Sequence, residues 1–429
     1  MSSRDDESLI ARDRALPGLA TVLDGEAMAD ALASQGIRGL GEIVPCYVRY
    51  KPGTSCLVGY RANPGDGVVF LHATTYADGL QDKVGKAGER ALRAANGDRG
   101  LPGGGCLYLE GVRAAVAFHP FDADLPSMVR LADADARAAL LARIFRDDAI
   151  GPRNEVHRLA YKPGRRFVGR VTRSDGRPAV VRLYANLERA RALRIPRSLV
   201  DGDVLRVARR VGGSKRHRAA AVDWIPGAPL RDAVRGRPAE LEGTISVVAR
   251  AVAELHQTKL VDGETLPRRG ATEGLVEAER ELAWLVPSHA GVATALRARI
   301  ESSLARIPTS EALIHGDLYD KQIVISAEGV GLVDLDELGI GDPRQDLGLF
   351  LAHWERDRAL GDLDAAVGGI GEALGESYRE ASSSRLVGLP VFTAAALYRL
   401  SQHPFRTRSP EWSAKIVCLL ERVHTLLGS

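Results

Sequence analysis

The sequence predicts an α+β fold in which a small β-rich unit occurs twice and a helical region follows. Three observations carry this. Runs of alternating and β-branched residues, separated by Pro-Gly and Gly turns, fill residues 45–76 and return in the same order from residue 155. Two short motifs recur with them: Tyr-Lys-Pro-Gly at Tyr50–Gly53 and Tyr161–Gly164, and Ala-Val-x-aromatic-x-Pro at Ala115–Pro120 and Ala221–Pro226. Such self-similarity marks a duplicated unit. From Leu230 onward the apolar spacing becomes helical.

In the first copy PCYVRY, CLVGYRA and VVFLHATTY read as strands joined by the turns KPGTS and NPGDG. A helix-like stretch occupies 80–95, Gly103 to Gly105 read as a flexible loop, and CLYLE and RAAVAFHP add two strands. In the second copy VHRLAY, FVGRVTR and PAVVRLYA are strands joined by KPGRR and SDGR, followed by the helix-like NLERARALRI and the strand AAAVDWIP. Beyond Leu230, GTISVVARAVAELHQTKL places Ile245, Val248, Ala249, Val252 and Leu255 on one helix face. His256 at its end reads as a C-terminal helix residue favoured by the dipole. VEAERELAWLV and ATALRARIESSLARI are two further helices. Four more follow the stretch 313–348: DLGLFLAHWERDRA, AAVGGIGEALGESYREA, LPVFTAAALYRLS and PEWSAKIVCLLERVHTLL.

At 429 residues the chain has room for two or three domains. Its 58 basic and 55 acidic side chains leave a net charge of +3, too balanced to argue for a nucleic-acid partner. The first residues mix acids and bases without a signal-peptide core, and no apolar run is long enough to span a bilayer. Cys46, Cys56, Cys106 and Cys418 show no metal-ligand spacing, and a chain this size needs no disulfide staples. The expectation is a soluble, cytoplasmic protein with reduced thiols and no membrane partner.

Chemistry concentrates in residues 313–348, LIHGDLYDKQIVISAEGVGLVDLDELGIGDPRQDLG. Asp317 and Asp334 are flanked by runs of Val, Ile and Leu, where a carboxylate losing water is costly unless a cation or a proton-transfer role compensates. Phosphoryl transfer from a nucleotide needs one carboxylate to orient the attacking hydroxyl and accept its proton. It needs another, with an amide oxygen, to hold Mg2+ across the phosphates. Asp317 fits the first role; Gln322 and Asp334 fit the second. Asp336, two residues on, would project from the same strand face as Asp334 and share the metal or a substrate group. Plainer readings exist for single residues. His315 serves equally as a turn brace through its ring nitrogens, and Asp342-Pro343 as an N-cap followed by Pro at the first helical position. The joint spacing of these elements is what favours a nucleotide-dependent site.

H-G-D-L-x-x-x-Q followed by V-D-L-D-x-x-x-x-G-D-P-x-x-D-L-G resembles the catalytic segment of the aminoglycoside phosphotransferase and choline kinase group, small-molecule relatives of protein kinases. Gln322, where that group usually carries Asn, is similar to the maltokinase-like branch. The resemblance implies a protein-kinase-like two-lobe fold with an additional amino-terminal lobe repeating the small lobe. Its parts would be a degenerate lobe at 1–150, a nucleotide-binding lobe at 151–226 and a helical catalytic lobe at 227–429. It implies Asp317 as catalytic base, Gln322 and Asp334 as Mg2+ ligands, and Asp346 as a buried brace under the catalytic loop, with His315 in the catalytic set. In AVVRLY, Arg182 stands where kinases place the Lys that pairs with nucleotide phosphates, with Glu188 as its partner on the following helix. The corresponding strand of the first copy has His72 and no Lys or Arg, so that copy should bind no nucleotide. Gly164 and Arg165 in the KPGRR turn would lie near the phosphates, the turn covering them with backbone N–H groups. Trp224 and Ile225 resemble a hinge whose backbone meets adenine. The implied reaction moves the γ-phosphate of ATP, with GTP as the alternative donor, to a hydroxyl of a small polar metabolite, a sugar or amino sugar first. An aminoglycoside antibiotic is the second acceptor, with Glu372, Glu376 and Glu380 as acids to receive its cations. In that group the acceptor binds between the catalytic loop and the late helices, where His353, Trp354 and Glu355 or the loop HPFRTRSPEW, with Arg406 and Arg408, could touch it. Ordinary surface and core roles serve these residues equally well, and they are left out of the binding set. The rival from another class is a catalytically silent nucleotide-binding scaffold. The first copy would shape the acceptor entrance or a dimer contact.

Overall fold

The computed structural model describes residues 3–65, 67–77, 105–147, 149–192, 195–235, 238–362, 369–382 and 384–428. The helix expected at 80–95 and most of the loop at Gly103–Gly105 lie outside them. By contacts the chain divides into two compact units. One comprises Met1–Ala190, Gly212–Ala221 and His403–Ala414; the other comprises Arg191–Val211, Val222–Gln402 and Lys415–Ser429.

The first unit holds the duplication. Strands β1 (Ile43–Lys51), β2 (Ser55–Ala62), β3 (Val69–Tyr76), β4 (Cys106–Leu109) and β5 (Ala114–Phe118) form an antiparallel sheet in the order β1-β2-β3-β5-β4. Strands β6 (Val156–Lys162), β7 (Arg166–Thr172), β8 (Pro178–Tyr184), β10 (Arg210–Ser214) and β11 (Ala219–Asp223) repeat it in the order β10-β11-β8-β7-β6. Register makes the equivalence specific. Ser55 pairs with Tyr76 and Leu57 with Thr74, as Arg166 pairs with Tyr184 and Val168 with Arg182. The counterpart of Arg182 is therefore Thr74, and His72 lies two residues away.

The duplication also reaches further upstream than its strands. Asp13, Leu16, Pro17, Leu19 and Asp24 recur as Asp122, Leu125, Pro126, Met128 and Asp133. Leu16, Leu19, Leu125 and Met128 are all buried. Asp24 caps the helix Gly25–Ser34 by accepting from Glu26 and Ala27 amides, and Asp133 caps Ala134–Phe145 by accepting from Ala136 N. Sequence reasoning missed both helices, together with Arg4–Arg12.

The loop HPFRTRSPEW belongs to this unit. Arg408 makes a two-pronged pair with Asp6 (2.9 and 2.6 Å), and Trp412 Nε1 donates to the same carboxylate at 3.1 Å. Arg408, considered above for the acceptor region, is committed to the amino-terminal helix.

The second unit is mainly helical, and its helices fall where the apolar spacing puts them. Ile245, Val248, Ala249, Val252 and Leu255 of the helix Pro238–Gln257 are buried in one core with Leu318, Ile323, Leu332, Leu335, Leu347, Phe350 and Tyr378. Short strands complete it. β9 (Leu205–Val207), β12 (Ala228–Pro229), β15 (Ile323–Ser326) and β16 (Gly329–Leu332) form one sheet, and β13 (Arg268–Arg269), β14 (Ala312–Ile314) and β17 (Gly339–Gly341) another. Among the described residues no helix is long and apolar enough to cross a membrane.

Candidate active site

The loop after β14 is held from below by one acid. Asp346, fully buried near the start of the helix Arg344–Ala359, accepts from His315 N at 2.6 Å through Oδ2 and from Gly316 N at 2.9 Å through Oδ1. Burial alone would raise its pKa, but the hydrogen bond and charge of His256, the neighbouring His315 and the Gly316 amide together hold it below the ordinary carboxylate range. Gly316 turns the chain at φ +82°, where an added Cβ would stand 2.3 Å from the Glu337 carbonyl oxygen.

His315, fully buried, is a brace whose tautomer follows from its partners. Nε2 faces the Val333 carbonyl at 2.8 Å, which only accepts, and Nδ1 receives the Asp317 amide at 3.3 Å. These partners select the arrangement in which Nε2 donates and Nδ1 accepts. The ring ties the Asp317 backbone to the end of the β15–β16 hairpin. There Val333 N donates to Gln322 O at 2.9 Å, and Gln322 Nε2 reaches Asp334 Oδ2 at 3.2 Å. Asp317, Gln322 and Asp334 are therefore linked through short hydrogen-bonded steps inside one unit.

Gln322 and Asp334 can be tested as a Mg2+ pair. Adjacent corners of a Mg2+ octahedron stand about 3.0 Å apart, close to the 3.2 Å between the two side chains. The amide turned by a half rotation would present its oxygen at the same place. An amide and a carboxylate are suitable hard donors, so the pair fits the ion. Among the described residues no three His, Cys, Asp or Glu side chains gather as a metal site.

Asp336 departs from expectation. Asp334 takes a left-handed backbone (φ 65°) and Leu335–Glu337 forms a 3-10 turn, so the strand has ended and the two acids share no strand face. Asp342 does accept from Arg344 N at 3.0 Å, as an N-cap would, with the helix starting one residue later than expected. It also takes Arg344 Nε at 2.8 Å and Nη2 at 2.6 Å.

Three supporting residues had no clear signal in the sequence. His256 is no simple helix end: its Nε2 lies 3.0 Å from Asp346 Oδ2 and its Nδ1 2.7 Å from Tyr378 Oη, so it steadies the brace from behind. Arg231 bridges Asp320 (2.7 Å) and Asp357 (2.5 Å), pinning the loop between Asp317 and Gln322. Arg399, half-buried on the helix Leu389–Leu400, lies within electrostatic reach of Asp317. Burial pushes its guanidinium pKa down, while Asp317 and Glu273 act to raise it. Tyr319 and His353 stack at 4.5 Å, which explains His353 by loop packing.

The hinge residues fall in the same unit. Ile225 packs on the hairpin, its Cγ2 2.6 Å from where a Cβ on Gly331 would stand, and Trp224 precedes it just after β11. Arg182, Glu188, Gly164 and Arg165 belong to the other unit. Arg182 is buried in β8, whereas Glu188 is exposed in the first turn of Leu187–Ala192. Gly164 does not offer its amide to a phosphate as expected, because that N–H donates to Asp122 Oδ2 at 2.8 Å. Glu372, Glu376 and Glu380 lie on the exposed face of Ile370–Ser382, away from its buried Leu374 and Tyr378.

A model of the phosphotransferase enzyme family matches residues 146–382, more than half the chain, and leaves out nearly all of the first repeat. Viomycin phosphotransferase of Streptomyces vinaceus is 31% identical over 192 residues. These are 41% of this chain and 61% of that protein, so the chain spans less than two thirds of that relative's length. A choline/ethanolamine kinase family protein of Mesorhizobium loti superposes with a TM-score of 0.50 at 18% identity, over 69% of this chain and 95% of that one. A Plasmodium vivax ethanolamine kinase gives 0.47 at 13%, over 70% and 88%. The Mesorhizobium likeness shows the fold: kinase-like, α+β and two-lobed, with the β-rich lobe present here a second time.

Proposed function

The chain belongs to the phosphotransferase enzyme family, and from that premise we propose that it moves the γ-phosphate of ATP to a hydroxyl of a small polar metabolite, a sugar or amino sugar foremost. The reading is supported most by the doubly braced loop. Asp346 holds the His315 and Gly316 amides while His315 joins the Asp317 backbone to the hairpin that bears Gln322 and Asp334. A general base must be fixed to within a fraction of an ångström of its target, and buried second partners do that. Asp317 orients the acceptor hydroxyl and takes its proton. Gln322 and Asp334 would hold Mg2+, which would supply charge to offset that of the phosphates. Arg182 with Glu188 and Arg165 serves the phosphate end of the nucleotide, and backbone groups at Trp224 and Ile225 serve its base. The catalytic work falls to 227–429, nucleotide binding to 151–226, and support to 1–150, in a soluble cytoplasmic enzyme.

The antibiotic-modifying reading draws on the relative named for viomycin, but two features weigh against a polycationic acceptor. Arg399 stands within electrostatic reach of Asp317, and the three glutamates offered to such an acceptor face solvent.

The test is ATP turnover by the purified chain against a panel of sugars and aminoglycosides. Asp317→Asn and Asp334→Ala should each lower kcat by roughly a hundredfold or more while the melting temperature stays at the wild-type value. Wild type and Asp317→Asn behaving alike on every acceptor would leave the silent scaffold as the better description.

A further inference from the structure

Each Tyr-Lys-Pro-Gly turn is gripped by one carboxylate oxygen. In the first repeat Asp13 Oδ2 accepts from Tyr50 Oη at 2.7 Å and from Gly53 N at 2.9 Å. In the second, Asp122 Oδ2 accepts from Tyr161 Oη and from Gly164 N, both at 2.8 Å. The two acids open the same Asp-x-x-Leu-Pro segment and are buried, at 3% and 6% exposure. One molecule thus builds the same clamp twice, which makes it a property of the repeat and not an accident of one loop.

The surroundings of the two turns differ. At Gly53 (φ 63°) an added Cβ would meet nothing within 4 Å. At Gly164 (φ 62°) it would lie 3.1 Å from Arg49 Nη2, 3.1 Å from Asp124 Oδ2 and 3.6 Å from Leu57 Cδ1. Pro163 sits against Gly59 of β2, and His72 Nδ1 stands 3.3 Å from Tyr161 Oη. The second turn is therefore seated on the first repeat. It is also tied to the strand that carries Arg182: Arg165 N donates to Lys162 O, and Ala185 N, one residue past β8, donates to Arg165 O, both at 3.0 Å.

We infer that Asp122 is a positioning residue for nucleotide binding: it locks the Lys162–Arg165 turn onto β1 and β2 of the first repeat and thereby fixes β8 and Arg182. The glycine amide is used up in the lock, so the phosphates are left to side chains, and the first repeat acts as a fixed seat for the second. The inference rests on the small-lobe reading above.

The test compares Asp122→Ala with Asp13→Ala in the full chain, reading affinity for a fluorescent ATP analogue and amide hydrogen exchange at the two turns. Losing hydrogen bonds to a charged group should cost Asp122→Ala about tenfold or more in affinity and speed exchange at Gly164. Asp13→Ala should speed exchange at Gly53 and keep affinity within about twofold of wild type, since its turn serves no nucleotide. Asp122→Asn, which retains an oxygen acceptor, should fall between. Should Asp122→Ala fail to fold, Tyr161→Phe removes one of the two donors and should show a smaller loss of the same kind. Wild-type affinity in Asp122→Ala or in Tyr161→Phe, or an equal loss in Asp13→Ala, overturns the inference alone. A wild-type chain that binds no analogue overturns the small-lobe reading and this inference with it.

Discussion

The two repeats share a strand order, a carboxylate clamp and a capped helix, yet they part at one place on the third strand. Thr74 faces Leu57 in the first, and Arg182 faces Val168 in the second. What is common to both is carried by backbone pairing, apolar burial and acids that satisfy turn amides, so it survives divergence of the remaining side chains. What differs at this position of the third strand is a single long cation. Architecture and chemistry are therefore separable in this molecule, and experiments can treat them apart.

The largest effect should come from removing the first repeat together with the opening segment of the second. A chain beginning at Pro152 loses Asp122 and the whole helix Ala134–Phe145, whose Ile144 carbonyl packs within 2.5 Å of a Cβ position on Gly212. Two half-buried donors, Tyr161 Oη and Gly164 N, would be left without their acceptor. Such a chain should not give a soluble folded product, as judged by size-exclusion chromatography and circular dichroism. A soluble product with wild-type KM and mass would mean that the strands of the second repeat need neither the first repeat nor their own opening segment. Next comes the chemical difference itself. Arg182→Ala should lower kcat/KM for ATP by about tenfold to a hundredfold, the cost of a lost charged contact, whereas Thr74→Ala should leave it within about twofold. Equal effects would erase the distinction between the copies. The smallest test probes likeness. Asp24→Ala and Asp133→Ala each remove an N-cap and should each cost about 1 kcal/mol in urea denaturation. A marked inequality would show that the two helices carry different loads.

The strands of both repeats were legible because alternation and Pro-Gly turns are local signals, and the helical lobe because five apolar positions of Pro238–Gln257 fall on one face. The start of the repeat at Asp13 and Asp122 was not, since it is marked by a handful of residues whose likeness shows only once both acids are seen gripping a turn. Asp317, Gln322 and Asp334 could be picked out by spacing. His256 could not, because its partner Asp346 lies ninety positions on. Asp336 was misplaced for a local reason: strand periodicity was carried past Asp334, where the left-handed backbone breaks it. The partner of the Gly164 amide was not legible because a Pro-Gly turn looks the same whether its amide awaits a ligand or already holds a carboxylate.

The pairing of Asp6 with Trp412 has an optical consequence. Of the four tryptophans, Trp412 alone falls in the unit built from the repeats; Trp224, Trp284 and Trp354 fall in the other. Its indole is sealed from water, bonded to a carboxylate and packed edge-on to Phe405 with ring centres 5.0 Å apart. Emission from that one ring, isolated by replacing the other three with Phe, would turn red as the amino-terminal helix peels from the segment around residue 412, and so give this half of the molecule its own spectroscopic clock.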